Sequence, residues 1–182
     1  MAFHEGLGMT VLAGTPLGFQ SFCCASSPRS EITETWLFGG TSLPSVSPFG
    51  AGCSGIGDGP SLQPGSGSLP FVGSTFRVQL QGLPGEAASF VLLGASNTVW
   101  GGRSLPFALG AIGMPNCSFV VSPDLVVPIG PGGTSAFLDV PVPLDPSLVG
   151  EIVYLQGGVI DPAANPAGVA LTGGLAATLG GR

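Results

Sequence analysis

Apolar and polar positions alternate in short runs along most of this 182-residue chain, and glycine or proline separates the runs. Phe76, Val78 and Leu80 alternate with Arg77, Gln79 and Gln81, the period-two pattern of a strand buried on one side. Ala136, Leu138 and Val140 oppose Phe137 and Asp139 in the same way. Residues 89–93 (SFVLL) and 151–160 are apolar at neighbouring positions, which predicts strands covered on both faces. The second of these, with Ile152, Val153, Tyr154, Leu155, Val159 and Ile160, reads as the central strand of a packed sheet. Asp145-Pro146 offers an N-cap and a first helical position for one capped turn. Leu83-Pro84-Gly85-Glu86 places Pro and Gly where a type II turn takes them. Shorter apolar patches stand at 99–100, 105–109, 118–121 and 125–129, with Ser122-Pro123-Asp124 as a turn. Residues 169–171 and 175–179 read as a closing hairpin around Gly173-Gly174. Eight or nine short strands with such turns predict an all-β fold, an antiparallel β-sandwich or jelly-roll-like domain.

The first forty residues read differently. His4-Glu5-Gly6-Leu7-Gly8 is a turn between strands Met1-Ala2-Phe3 and Met9-Thr10-Val11-Leu12, and residues 33–40 form a further strand closed by Gly39-Gly40. Residues 41–48 (TSLPSVSP) read as a Ser/Pro linker. The expected domains are therefore 1–47, an N-terminal β-strand extension with its linker, and 48–182, the sandwich. The linker and residues 26–30 are candidate sites for O-linked sugar, although an unmodified extended linker is the plainer reading.

Composition changes this picture in two ways. The chain has 32 glycines and 18 prolines, about twice their ordinary combined share of ~12%. Because 44% of residues are hydrophobic, they read as turn residues between strands and not as disorder. Charge is sparse: no lysine, four arginines and ten acids, for a net charge of −6. That argues against nucleic acid or an anionic membrane as partner. It also leaves a weakly charged surface suited to packing against other copies of the chain. No apolar run approaches the ~18 residues of a spanning helix. The N-terminus lacks a basic n-region and a continuous apolar core, so Met1 is expected to be internal to a longer precursor.

Candidate chemistry is thin. The one histidine, His4, lies outside any nucleophile elbow, and no Gly-x-Ser-x-Gly occurs, so no catalytic residues are assigned. Asp58, Asp124, Asp139, Asp145, Glu151 and Asp161 could supply a glycoside-cleaving pair, but Asp124, Asp145 and Asp161 adjoin prolines as turn and cap residues do. Gly55-x-Gly57-x-Gly59 opens no helix, so no nucleotide cofactor is expected. No metal is assigned: CxxC is absent, and neither Gly57-Asp58-Gly59 nor Asp124 has a calcium-loop spacing. Asn116-Cys117-Ser118 fits the N-glycan sequon, blocked if Cys117 is bridged. Trp36, Trp100 and Tyr154 could stack on sugar, though core packing is the commoner use of such rings. Cysteines stand at 23, 24, 53 and 117. Of the three pairings, Cys53–Cys117 is favoured, because both lie in Gly/Pro/Asn-flanked turns beside strands; a vicinal Cys23–Cys24 bridge, free thiols or an interchain bond remain open. A disulfide implies an oxidising, extracellular compartment.

Two resemblances extend this reading. Met-Ala-Phe-x-x-x-x-Gly from Met1, a Thr-Val-Leu-x-Gly run from Thr10 and Glu-Thr-Trp-Leu-Phe-x-Gly from Glu34 resemble a kelch-type propeller repeat, with Ala13-Gly14 where that family has two glycines. One blade cannot bury its own faces, so the chain alone makes no propeller. Residues 48–182 resemble a C-terminal module of planctomycete-type secreted proteins. The matching stretches are Phe49-Gly50-Ala51-Gly52-Cys53-Ser54-Gly55, the Leu-Pro-Gly turn before Phe90-Val91-Leu92-Leu93, Asn116-Cys117-Ser118-Phe119 and Tyr154-Leu155-Gln156-Gly157-Gly158. That resemblance implies export, a β-sandwich and a Cys53–Cys117 bridge, and supplies no catalytic residues. The expected function is a non-enzymatic extracellular structural protein. In it a self-assembling homo-oligomer or polymer, a filament or surface layer, would form through strand pairing by the N-terminal segment. The alternative is a carbohydrate-binding or cell-surface attachment module, with a surface glycan as partner.

Overall fold

The computed structural model describes residues 42–53, 59–130 and 132–181, and the strand backbone of residues 2–3, 10–12 and 36–38. The chain divides into two units, Met1–Thr41 and Ser42–Arg182. In the first, β1 (Ala2–Phe3), β2 (Thr10–Leu12) and β3 (Trp36–Phe38) pair antiparallel in that order, with Ala2 opposite Val11 and Leu12 opposite Trp36. The expected turn at 4–8, Cys23, Cys24 and residues 26–30 lie outside the described residues.

The second unit begins with β4 (Ser45–Phe49), β5 (Ser61–Pro64), β6 (Thr75–Gln81) and β7 (Ser89–Gly94). Two short ribbons follow, β8 (Val99–Trp100) with β9 (Arg103–Ser104) and β10 (Phe107–Ala108) with β11 (Ser118–Phe119). Then come β12 (Leu125–Ile129), β13 (Ser135–Pro141), β14 (Ile152–Ile160) and β15 (Val169–Thr178). Five strands form one antiparallel sheet in the order β12-β7-β14-β15-β4, and three form another, β13-β6-β5. The sheets pack face to face, so the unit is the all-β sandwich that its alternation predicts. Phe76 and Val78 from the smaller sheet meet Val91, Leu155, Leu175 and Ala177 from the larger one. Leu80 and Ala136 continue the contact against Val159 and Ala170. Each Val, Leu or Phe side chain among them contributes about 1.5–3 kcal/mol by leaving water. β14 is the central strand, as its two-sided apolar run requires. Gly85 takes φ +60, the conformation that the third position of a type II turn demands.

The far face of the larger sheet is covered by residues 95–124. Leu92 packs there with Val120 and Val121, and Leu109 and Met114 pack with Leu171 around the Cys53–Cys117 disulfide, whose Cα atoms are 4.9 Å apart. One polar side chain joins this layer to the sheet. Gln156 of β14 has no exposed surface; its Oε1 accepts the Val120 N–H at 3.1 Å, and its Nε2 donates to the carbonyls of Ser118 at 3.0 Å and Thr172 at 2.9 Å.

Two stretches fold otherwise than their sequence predicts. Gly173-Gly174 is no hairpin turn; β15 runs through it without a break, and neither glycine takes the positive φ that a two-residue turn needs. Gln156 pairs with Gly174 and Gly158 with Leu171, so Thr172 and Gly173 together face the single residue Gly157. This is a β-bulge, and it shifts the phase of alternation: Ala170 points into the sandwich before it, Leu175 and Ala177 after it. Two phases in one strand read as two strands. The second correction concerns the linker at 41–48. Ser45–Phe49 is an edge strand paired with β15, from Ser45 opposite Thr178 to Phe49 opposite Gly174, and the sandwich unit begins at Ser42, not at residue 48. Pro48 fits because an edge strand needs no N–H on its open side.

Gln156→Leu is close in volume and removes three hydrogen bonds, two of them fully buried. Equilibrium urea unfolding should show a loss of about 2–4 kcal/mol; an unchanged midpoint would contradict the joining role.

Candidate functional site

With Phe76, Val78 and Leu80 buried, the pleat turns Arg77, Gln79 and Gln81 to the outer face of the smaller sheet. Phe137 and Asp139 of β13 and Ser61 and Gln63 of β5 share that face, by the same alternation. Register then sets them in rows: Ser61, Gln81 and Ser135 in one, Gln63, Gln79 and Phe137 in the next, and Arg77 opposite Asp139 in a third. Arg77 grips Asp139 with two parallel bonds, Nε to Oδ1 at 2.6 Å and the terminal nitrogen to Oδ2 at 2.7 Å. Its guanidinium also lies 5.8 Å from the centre of the Phe137 ring, which is still 51% exposed. The hydrogen bonds from Arg77 hold the Asp139 carboxyl below the usual carboxylate range, and Asp139 in turn raises the arginine. Neither is then a free acid or base. Among the described residues, the amides of Gln63, Gln79 and Gln81 have no hydrogen-bond partner. The face thus presents amide donors and acceptors beside one ion pair whose charges cancel.

The acids singled out in the sequence do not converge. Asp124 accepts the Ala95 N–H at 2.9 Å and the Ser122 hydroxyl at 2.8 Å. Asp145 caps the 3-10 turn Pro146–Leu148, accepting the Ser147 hydroxyl at 2.8 Å and its N–H at 2.9 Å, and these bonds lower its pKa. Asp161 accepts the Ala163 N–H at 2.9 Å, and Glu151 is exposed. No group of three His, Cys, Asp or Glu able to hold a metal occurs among the described residues. Asp58, Gly57 and His4 lie outside them. Trp100 meets Phe107 and Phe119 edge-on at 6.3 and 6.0 Å, and Tyr154 meets Phe49 edge-on at 5.9 Å. Both rings are used in packing, and the side chain of Trp36 lies outside the described residues. In the sequon, Cys117 is bridged and buried.

Two concavities stand out among the described residues. A cleft of about 280 Å³ beside Cys53 is lined by Phe49, Pro60, Leu171, Gly174 and their neighbours, with no ionisable side chain in its described wall. An open groove of about 590 Å³ runs between Leu93, Leu125, Leu148, Ile152 and Leu179, with Asp124 and Glu151 at its wall. The glutamine rows were not singled out in the sequence, since only strand register aligns residues 63, 79 and 137.

No family model matches the chain, and no curated protein or solved structure is similar to it.

A carboxyl whose folded pKa is lowered adds stability above the ordinary carboxylate range and loses it as pH falls through the lowered value. Side-chain NMR titration should therefore place the Asp139 midpoint below that of an unpaired aspartate, and Arg77→Gln should move it back up. Equal midpoints in the two proteins would remove the ion pair as the cause.

Proposed function

We propose that the sandwich is a non-enzymatic attachment module of an exported protein, holding a surface by the outer face of its three-stranded sheet. The observation that supports this is an asymmetry. One side of the sandwich is sealed by residues 95–124, whereas the other presents unpartnered amides and a half-exposed ring. The disulfide fits an oxidising, extracellular compartment, as does the resemblance drawn for residues 48–182. Among the described residues no helix is long and apolar enough to cross a membrane. The described aspartates serve as ion-pair, cap and turn residues, which favours scaffold over enzyme.

Attachment by a face is preferred to polymerisation by an edge for a specific reason. The outer strands of both sheets all carry a proline: Pro48 in β4, Pro128 in β12, Pro64 in β5 and Pro141 in β13. Each lacks the N–H that an added strand would bond, a recognised guard against edge pairing. The oxidised 182-residue chain should pellet with envelope fragments of the producing cell in a saturable manner. Failure to pellet at any protein concentration would refute attachment.

Assembly into a filament or layer is the second reading, favoured by the apolar groove. Leu125 and Ile152 at its wall are 56% and 41% exposed, and Val126 beside them is 55% exposed. On this reading the sedimentation coefficient rises with concentration, and Leu125→Ser with Ile152→Ser abolishes the rise. A parent chain that stays monomeric throughout would eliminate it.

A further inference from the structure

The geometry points to a neutral polysaccharide as the ligand of the β5-β6-β13 face, laid along the row of Gln63, Gln79 and Phe137 with Gln81 in the row beside it. This assignment rests on the attachment reading and names its ligand.

Charge makes the first selection. In a chain of net charge −6, the face itself is neutral: Arg77 cancels Asp139 at 2.6 and 2.7 Å, and the other groups are amides, hydroxyls and a ring. An anionic polymer finds no free cation there, and a cationic one finds no free carboxylate. Polar matching makes the second. Each glutamine amide carries two donor protons and an acceptor oxygen, and sugar hydroxyls both donate and accept, so one amide can serve two hydroxyls. Three such amides without a partner stand on one sheet face, Gln63 exposed and Gln79 and Gln81 half-buried. Shape makes the third. Neighbouring strands lie about 4.8 Å apart, and successive outward residues on one strand about 7 Å apart. An extended chain of sugar rings crossing β5, β6 and β13 then meets Gln63, Gln79 and Phe137 in turn. Phe137 offers an apolar plane to the C–H face of a ring and has no polar group of its own to satisfy. Arg77 over that ring, tied to Asp139, fixes its orientation.

A protein strand is a poorer fit, because a sheet face presents side chains and no free backbone ladder. A second copy could stack its own glutamine rows on these, and the test separates that case. Electrophoresis of the oxidised full chain is run in gels containing hydroxyethyl cellulose, xylan or galactomannan as neutral polymers and polygalacturonate as the anionic one. At least one neutral polymer should retard the chain, and polygalacturonate should not. The triple variant Gln63→Ala, Gln79→Ala, Gln81→Ala should bind about tenfold or more weaker, with a thermal midpoint close to the parent's, since none of the three amides makes a hydrogen bond within the protein. Phe137→Ala should lose retardation as well. Retardation by polygalacturonate alone, or equal retardation of parent and triple variant, overturns the assignment. So does a dimer that forms without polymer and is lost in the triple variant. A triple variant that pellets with envelope fragments as fully as the parent overturns the ligand but leaves attachment standing; a parent chain that pellets with nothing defeats both.

Discussion

The side-chain amide of Gln156 is the point at which the larger sheet and the layer that covers it are joined. It sits on the central strand of the larger sheet and reaches the backbone of residues 118 and 120 in the covering layer and residue 172 in the next strand. A buried amide satisfied on all sides is strong because its surroundings are weakly polarisable, and costly to disturb for the same reason. The neighbouring bulge is its companion. A β-carbon on Gly157 would overlap the Leu80 side chain, which has no exposed surface and would have to shift under the smaller sheet. The Gly157 N–H, displaced from the ladder by the bulge, is taken by the Thr172 hydroxyl at 2.8 Å. The disulfide holds the same covering layer from another side: Cys53 bonds Leu171 through its N–H at 2.8 Å, and its bridge to Cys117 spans 64 residues of sequence. By the chain-entropy account, a loop of that size contributes about 4 kcal/mol.

What could be read in the sequence divides along physical lines. β6, β13 and β14 were legible because alternation and two-sided apolarity are local properties of strands that face a core. The Asp145 cap and the Gly85 turn were legible because side chain and φ preference act within a few residues. The bulge in β15 was not, since a glycine chosen for close approach looks like one chosen for a turn. Only the Phe49 ring, packed where a Gly174 side chain would stand, distinguishes them. β4 was missed for a related reason: Ser-Pro spacing describes a linker and an edge strand equally well. The glutamine face is hardest to read of all, because Gln63 and Phe137 become neighbours in one row only through their separate pairings with β6.

Prolines and charges are alternative ways to protect the edge of a sheet. A chain without lysine and with four arginines has little of the second. The distribution of proline, one in each outer strand of the sandwich, supplies the first. This moves the weight of the functional reading from edges to faces. It also gives the high proline content a role within the strands themselves, beyond the turns to which composition assigns it.

The same side chain then serves opposite purposes in the two sheets. Gln156 is sealed from water and satisfied by backbone, whereas Gln63, Gln79 and Gln81 are outward and without partners. The difference is produced by burial alone, and burial is set by the pleat. β6 is paired on both sides, and its inward Phe76, Val78 and Leu80 have essentially no exposure, so the backbone beneath Gln79 and Gln81 is held by the core. Positioning is thus provided before any ligand arrives, although each glutamine still loses rotamer freedom when it binds. One sugar touching one amide gains little more than that loss. A polymer that runs along the row engages Gln63, Gln79 and the Phe137 ring at once, and this is why the geometry matches a chain of sugars and not a single one.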